Sequence, residues 1–463
     1  MTPSLQIETE VQDVFTQFPA LVKTQPTNGR ATNQGPASLS VLAHPPSTSR
    51  KTIRVALAGC GVVGGGLLRL LHESSSAISG RYGLDFTLTR VLVRDIHKDR
   101  NLPIDCGLYT SDLETFLATD ADVFVEAIGG REPAHTIASR AISRGKKLIT
   151  ANKELIAAEG NRLASLATVT GGDLDFGAAV GGSAPVISTL RDLTGGLIPR
   201  SVRGILNGTS NYVLSLVERG ASLDSALSRA RDLGLAESDC SRDLDGRDAA
   251  AKLAIIAWTA FGLDPADLCL RRTALVPGLE ALVRCSKALH GRVRFIAECA
   301  LLPDRRISAT VEPTIVAEHS SFGGTIGEEN RVEVDLGWSS PLTVSGPGAG
   351  GQPTASALLS DLVHLSPVPN GRATSDSAFT SVDDPRAHEW VILADAPVST
   401  LLRSARAFGC APIHDARVGR DSLIVTAPAH WSLVSPLLQS LEAANANPAV
   451  ARYEIQSCSE NSS

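Results

Sequence analysis

Five carboxylates and a lysine crowd one short stretch: Glu237, Asp239, Asp243, Asp245, Asp248 and Lys252, in GLAESDCSRDLDGRDAAAKLAII. From Asp248 onward, Ala249, Leu253, Ile256 and Ala257 recur at three and four residues, the period of a helix with one apolar face. Asp248 and Lys252 are four apart and so share a face near the start of that helix. Carboxylates there can hold a cationic group of a substrate, and an ammonium can give a proton to an oxygen. A capped helix with a surface ion pair is the commoner explanation of an isolated pair at this spacing. The clustered acids, with Gly234 and Gly246 among them, tilt the reading toward a site.

A second constellation is Gly59-Cys60-Gly61-Val62-Val63-Gly64. It follows the apolar run IRVALA and opens a helical pattern, the context in which GxGxxG carries meaning. Gly59 permits the tight turn, Gly61 lets the backbone approach a pyrophosphate, and Gly64 allows close helix–strand packing, with negative charge favoured at the helix start. The alternative is a glycine turn with no ligand. Gly129 ends another apolar run, DVFVEAIGG, and belongs to the same cofactor surface. After the next predicted strand, Arg94 and Asp95 are adjacent, with Lys98 and Arg100 behind. An arginine there suits the 2′-phosphate of NADP and an acid suits the ribose of NAD; the sequence favours NADP, with NAD as the other outcome. Ala151-Asn152-Lys153 closes a further predicted strand, where ligands of open α/β sheets bind, which places Asn152 and Lys153 near the cofactor. Asn207-Gly208-Thr209-Ser210-Asn211 lies between a strand and an apolar helix. Thr209 or Ser210 can cap that helix, and the same N–H groups can hold a substrate carboxylate; both readings stand. His135, His319 and His414 are isolated and read as ordinary histidines.

The elements that must position these residues divide the chain. Its length suits roughly three domains of about 150 residues. Residues 1–51 are rich in Ser, Thr, Pro, Asn and Gln and are expected to be disordered. The acid-free stretch between Phe15 and Lys51 resembles a transit peptide, but Glu8, Glu10 and Asp13 argue against one; a mistaken start is the other reading. Residues 52–180 alternate strands and helices, an α/β Rossmann-type, doubly wound parallel sheet. Residues 181–365 mix strands and helices as an α+β substrate domain, and 366–384 read as a linker. Residues 385–460 run strand, helix, strand, strand, helix, strand, a ferredoxin-like βαββαβ unit. The formal charge of −6, with no basic block, excludes nucleic-acid binding, and no apolar run approaches the roughly 20 residues that span a bilayer. Eight scattered cysteines form no CxxC or Cys/His cluster, so no metal is expected and the thiols suit a reducing cytoplasm.

Taken together, these blocks resemble the homoserine dehydrogenase family over about residues 53–365. The resemblance rests on Gly59–Gly64, EAIGGREPA at 126–134, TANKELIA at 150–157, NGTSNY at 207–212, DLDGRDAAAK at 243–252 and GPGAGGQPTASA at 346–357. It implies hydride exchange between a nicotinamide cofactor and L-aspartate 4-semialdehyde or L-homoserine. It implies a central sheet that forms a homodimer, or a homotetramer, and an ACT domain behind it. By position, Lys153 and Lys252 resemble the two active-site lysines, with Asp248 beside Lys252 at the reacting end and either lysine as proton donor. Glu237 and Asp243 resemble substrate-binding or site-ordering acids. Gly208 and Thr209 resemble the loop beside substrate and nicotinamide, and Gly348 and Gly350 a second glycine loop near the cofactor. Three positions depart from the family pattern: Leu235 for an aromatic residue, Cys240 for proline, and Gly177 for a glutamate that supports a cation site. The terminal unit has Ala396-Pro397-Val398 after Asp395 in place of Asp-x-x-Gly, which keeps an ACT-like fold without implying threonine sensing. The competing readings are a divergent paralogue acting on another small hydroxy-amino acid or amino-aldehyde, and a non-catalytic amino-acid-sensing homologue.

Overall fold

The computed structural model describes residues 50–236, 239–276, 278–338, 340–364 and 379–455. The first unit contains β1 (Lys51–Ala58), α1 (Val62–Tyr82), β2 (Leu84–Leu92), β3 (Tyr109–Thr110), α2 (Leu113–Ala118), β4 (Val123–Glu126), α3 (Ala134–Ser143), β5 (Lys147–Thr150), α4 (Lys153–Thr170) and β6 (Asp173–Asp175). The six strands form one parallel sheet in the order β3-β2-β1-β4-β5-β6, so strand order reverses between β1 and β4. Doubly wound sheets bind ligands outside the carboxyl ends at such a reversal. β4 is buried on both faces, which is why it reads as the unbroken apolar run Val123-Phe124-Val125.

The second region contains α5 (Val186–Thr194), β7 (Ser201–Ile205), α6 (Gly208–Glu218), α7 (Leu223–Asp232), α8 (Ser241–Leu244), α9 (Arg247–Phe261), β8 (Leu270–Arg272), α10 (Leu279–Ala288), β9 (Gly291–Leu301), β10 (Arg306–Ala317), β11 (Glu329–Asp335), β12 (Leu342–Pro347) and α11 (Gly351–Val363). The last comprises β13 (Thr380–Val382), β14 (Glu389–Ala394), α12 (Val398–Ala407), β15 (Pro412–Val418), β16 (Asp421–Thr426), α13 (Trp431–Ala443) and β17 (Ala449–Glu454). All eleven strands from β7 to β17 belong to a single mixed sheet, ordered β12-β11-β7-β9-β10-β17-β14-β16-β15, with β8 and β13 also on β10. The terminal βαββαβ order is present, and β17 joins it to the middle region by parallel pairing with β10.

Two departures from the expected layout have physical causes. α11 lies in the middle region by sequence, yet Ala355, Leu358 and Leu362 complete the apolar layer formed by Ile53, Val55, Leu57 and Leu67. One face of β1 and α1 would otherwise stay open. The end of the stretch read as linker forms β13, whose Thr380–Val382 pairs with Arg306–Ser308 on the edge of β10. Among the described residues, no helix is long and apolar enough to cross a membrane.

Candidate active site at the carboxyl edge of the parallel sheet

The turn after β1 carries the dinucleotide geometry. Gly59 adopts φ 93°, a left-handed value that favours glycine, and a Cβ there would lie 2.6 Å from the Ala127 carbonyl oxygen. A Cβ on Gly64 would lie 2.0 Å from the Gly59 oxygen, so α1 packs directly on the turn. Around Gly61 the space is open to 4 Å, no side chain caps α1, and Val62 is exposed while Val63 is half-buried. The first N–H groups of α1 are therefore left uncapped by any side chain beside open space, the arrangement that suits a pyrophosphate.

Across the reversal, the loop after β4 hangs on Glu126, which is fully buried. Its Oε1 accepts the N–H groups of Ile128 (2.7 Å) and Gly129 (3.1 Å), and its Oε2 accepts the Thr150 hydroxyl (2.5 Å). The Thr150 oxygen in turn accepts the Asn152 N–H at 2.9 Å. Asn152 caps α4 by accepting from Leu155 N–H (3.1 Å) and donates to the Gly130 carbonyl (2.6 Å). Its side chain thus orders the cofactor-side loop, and Lys153 follows as the first residue of α4.

From there Lys153 reaches the acidic stretch. Its Nζ lies 3.1 Å from Asp248 Oδ1, while Lys252 Nζ lies 2.8 Å from Asp248 Oδ2. Both lysines, from separate helices, converge on one buried carboxylate. Lys252 also donates to the Leu206 carbonyl at 2.7 Å, so two of its three N–H groups are engaged. Burial alone would push the Asp248 carboxyl up. The Lys252 and Lys153 ammoniums, with hydrogen bonds from Lys252 and Asn207, outweigh it and hold the group well below the usual carboxylate range. Asp243 moves the other way: burial raises it, the Asn207 hydrogen bond opposes, and Asp248 adds to the rise. Asp239 and Asp245 turn away, Asp239 accepting Ser241 N–H and Asp245 pairing with Arg247 and Arg272. Glu237 lies outside the described residues.

The cap of α6 is Asn207, not Thr209 or Ser210, because the helix begins at Gly208 and the cap falls one residue earlier. The Thr209 hydroxyl donates to the Leu235 carbonyl at 2.6 Å, a backbone contact that is indifferent to the side chain at 235. Gly208 is closely packed, since a Cβ there would lie 2.7 Å from the Glu328 oxygen. Gly348 is buried against the Asn330 amide, and Gly350 caps α11 from the exposed side. Cys240 is buried, with Arg231 donating to its Sγ at 3.8 Å. At Gly177 a Cβ would lie 2.4 Å from Asp361 Oδ1, and Asp361 accepts the Ala178 N–H, so a carboxylate from α11 stands where a side chain at 177 would project. Arg94 is exposed just beyond β2 and makes no ion pair among the described residues, whereas Arg100 donates to the Asp95 and Lys98 carbonyls and lies over the Tyr109 ring. The sequence reading named Asn207 only as a member of the polar cluster before α6, without a role of its own, and did not single out Glu126 or Asn330. Their signal was available only as polar residues at the ends of apolar runs.

A sheet of this order takes a dinucleotide at its reversal, and paired ammoniums beside that crevice suit a carbonyl undergoing reduction; the class is a nicotinamide-dependent oxidoreductase. Comparison with known proteins narrows it. The family model described as "Homoserine dehydrogenase, NAD binding domain" matches residues 59–176, and that described as "Homoserine dehydrogenase" matches residues 185–363. The homoserine dehydrogenase of Mycobacterium leprae is 36% identical over 322 residues, covering 68% of this chain and 73% of that protein. That of Bacillus subtilis is 32% identical over 319 residues, 68% and 72% of the two chains. The crystal structure of the enzyme from Thiobacillus denitrificans superposes with a TM-score of 0.78 at 29% identity, over 88% of this chain and 99% of that one. The chain belongs to the homoserine dehydrogenase family of NAD(P)-dependent oxidoreductases.

Proposed function

We propose that the protein interconverts L-aspartate 4-semialdehyde and L-homoserine at the Lys153–Asp248–Lys252 cluster. The observation that carries this reading is the convergence of both lysines on the single buried carboxylate of Asp248, at the exit of β5, two strands along the sheet from the dinucleotide turn after β1. Gly59, Gly61, Val62, Val63 and Gly64, with Gly129, Asn152, Gly348 and Gly350, would hold the nicotinamide cofactor, which when bound would supply or take the hydride. Asp248 holds both ammoniums in place. The unengaged N–H of Lys252 stabilises the alkoxide that develops as the aldehyde is reduced. Lys153, one-third exposed with a single engaged N–H, delivers the proton and is recharged from solvent. Glu237 and Asp243 receive the substrate ammonium, and the N–H groups at Gly208 and Thr209 face its carboxylate. Arg94 favours NADP.

The reading extends to organisation. Residues 52–180 with α11 form the cofactor domain, 181–365 otherwise form the substrate and dimerisation domain, and 385–460 form an ACT-like module. The support for that module is its strand order, β17-β14-β16-β15, with α12 and α13 between the strands. A cytoplasmic homodimer or homotetramer follows from the same reading.

The test is absorbance at the reduced-nicotinamide band with L-homoserine and NADP⁺ or NAD⁺. Cofactor reduction that disappears in Lys252→Ala supports the assignment. Intact cofactor binding without reduction transfers the protein to another small hydroxy-amino acid, and absent cofactor binding favours a non-catalytic homologue.

A further inference from the structure

We propose that Asn207 is a positioning residue for this reaction, clipping the lysine–carboxylate cluster to one peptide of the α6 entry; the proposal rests on the function assigned above. A single side-chain amide carries it. Asn207 Nδ2 donates one hydrogen to Asp243 Oδ1 at 2.7 Å and the other to Asp248 Oδ2 at 2.8 Å. Its Oδ1 accepts the Ser210 N–H at 2.7 Å. The neighbouring residue supplies the other anchor: the Leu206 carbonyl accepts from Lys252 Nζ at 2.7 Å and from Asn330 Nδ2 at 3.2 Å. One stretch of backbone therefore holds Lys252 through a carbonyl and its carboxylate partner through a side chain. Gly208, packed on the Glu328 carbonyl, leaves that backbone little room to move.

A neutral double donor between two carboxylates has a definite electrostatic effect. It bridges Asp243 and Asp248 and favours the charged form of each, easing the repulsion of two neighbouring carboxylates. Among the described residues, the charged groups around it are Asp243 on α8, Asp248 and Lys252 on α9, and Lys153 on α4. Outside them, Arg242 is paired with Glu154, and Asp245 with Arg247 and Arg272. Asn152 provides the internal contrast. It also caps a helix, but its amide donates to the Gly130 carbonyl and meets no carboxylate.

Two variants of the full chain separate capping from positioning. Asn207→Ser keeps an oxygen for the Ser210 N–H but is too short to reach either carboxylate. It is expected to fold with a Tm within a few degrees of wild type, to lose about tenfold to a hundredfold in kcat/KM, and to show an acid limb displaced to higher pH as Asp243 loses a donor. Asn207→Asp keeps the cap and the shape but sets a third carboxylate against two others. It should be slower still at neutral pH and recover in part on acidification, when its protonated oxygen donates again. Wild-type rate and pH profile in Asn207→Ser overturn the proposal, as does a loss of rate that follows Tm with the profile unmoved. Should Asn207→Asp fail to fold, Asn207→Ser decides alone. Wild-type protein with no homoserine turnover removes the functional reading instead, whereas an active wild type with an unaffected Asn207→Ser removes only this inference.

Discussion

Two buried charge clusters in this molecule use similar parts in different proportions. At the join between the middle region and the terminal unit, Glu298 on β9 accepts from Arg386 and Arg452, each at 2.9 Å, with Arg203 at 3.6 Å. Arg203 and Arg452 also bind Glu454 on β17. Burial would raise the Glu298 carboxyl, but the Arg452, Arg203 and Arg386 guanidiniums bring it down to about 2. At the carboxyl edge of the parallel sheet, Asp248 meets ammoniums. A guanidinium is a planar fork that fills a carboxylate's lone pairs, while an ammonium is a point charge with three donors and engages only some of them. The first cluster ties its carboxylate to guanidiniums from three separate strands and loops and so joins strands. The second leaves donors on Lys153 and Lys252 for something that is not part of the chain.

That contrast breaks most visibly at the join. Glu298→Ala leaves three arginines without their shared acceptor, and a buried pair broken from one side costs about 3–5 kcal/mol. Urea unfolding should register the loss while kcat of the folded fraction stays near wild type; a large fall in kcat at unchanged stability would give Glu298 a part in the chemistry. At the site the balance reverses. Lys252→Ala and Lys153→Ala should each lower kcat by about a hundredfold or more, roughly 2.7 kcal/mol at ~1.36 kcal/mol per tenfold, with cofactor affinity preserved by titration. Near-normal turnover in either variant removes that lysine from the mechanism.

The two clusters also differ in how much of them could be read in advance. The parallel sheet was legible because strands buried on both faces are short apolar runs and the helices between them carry a 3.6-residue period. Asp248 and Lys252 were legible for the same local reason. Lys153 reaches them only through the fold: its place at the end of a predicted strand put it near the cofactor, and only the family resemblance paired it with Lys252. Asn152 and Asn207 are strong caps, yet a cap and a ligand look alike in sequence. α11 was placed by its position in the chain, whereas a nonlocal apolar surface on β1 and α1 decides where it packs. The join was invisible. On β9, Arg292, Arg294 and Glu298 share the face opposite the apolar Val293, Phe295 and Ala297, a pattern close to that of a strand with one wet face. The structure buries that second face, pairing Arg294 with Glu218 and Glu298 with arginines from distant segments. Three-residue β8 and β13 carry too little pattern to be seen at all.

Acid sharpens the comparison by a smaller amount. The Glu298 carboxyl titrates near 2 when folded against an ordinary value of 4.5. Its folded value is depressed, so its contribution is complete above about 4.5 and is lost as pH falls toward 2. Across that window the unfolded chain holds one more proton at this group, worth about 1.4 kcal/mol per pH unit. The stability gap between wild type and Glu298→Gln should therefore narrow by roughly that slope on acidification. A gap independent of pH would show that packing, not charge, fixes the join.

The smallest effect falls on an exposed charge. Beyond β2, Arg100 has its guanidinium turned to the Asp95 and Lys98 carbonyls and stacked on Tyr109, so it shapes the loop. Arg94 stands exposed at the strand exit, where the adenine ribose of a dinucleotide lies in sheets of this order. A single solvent-screened arginine on a phosphate is worth about 1 kcal/mol. Arg94→Ala should then weaken NADP by about fivefold and leave NAD nearly unchanged, read as the ratio of dissociation constants in fluorescence titrations. Equal losses for the two cofactors would mean that Arg94 supports the loop as Arg100 does, and that any preference for the 2′-phosphate arises elsewhere on the loop, with Lys98 the next charge to change.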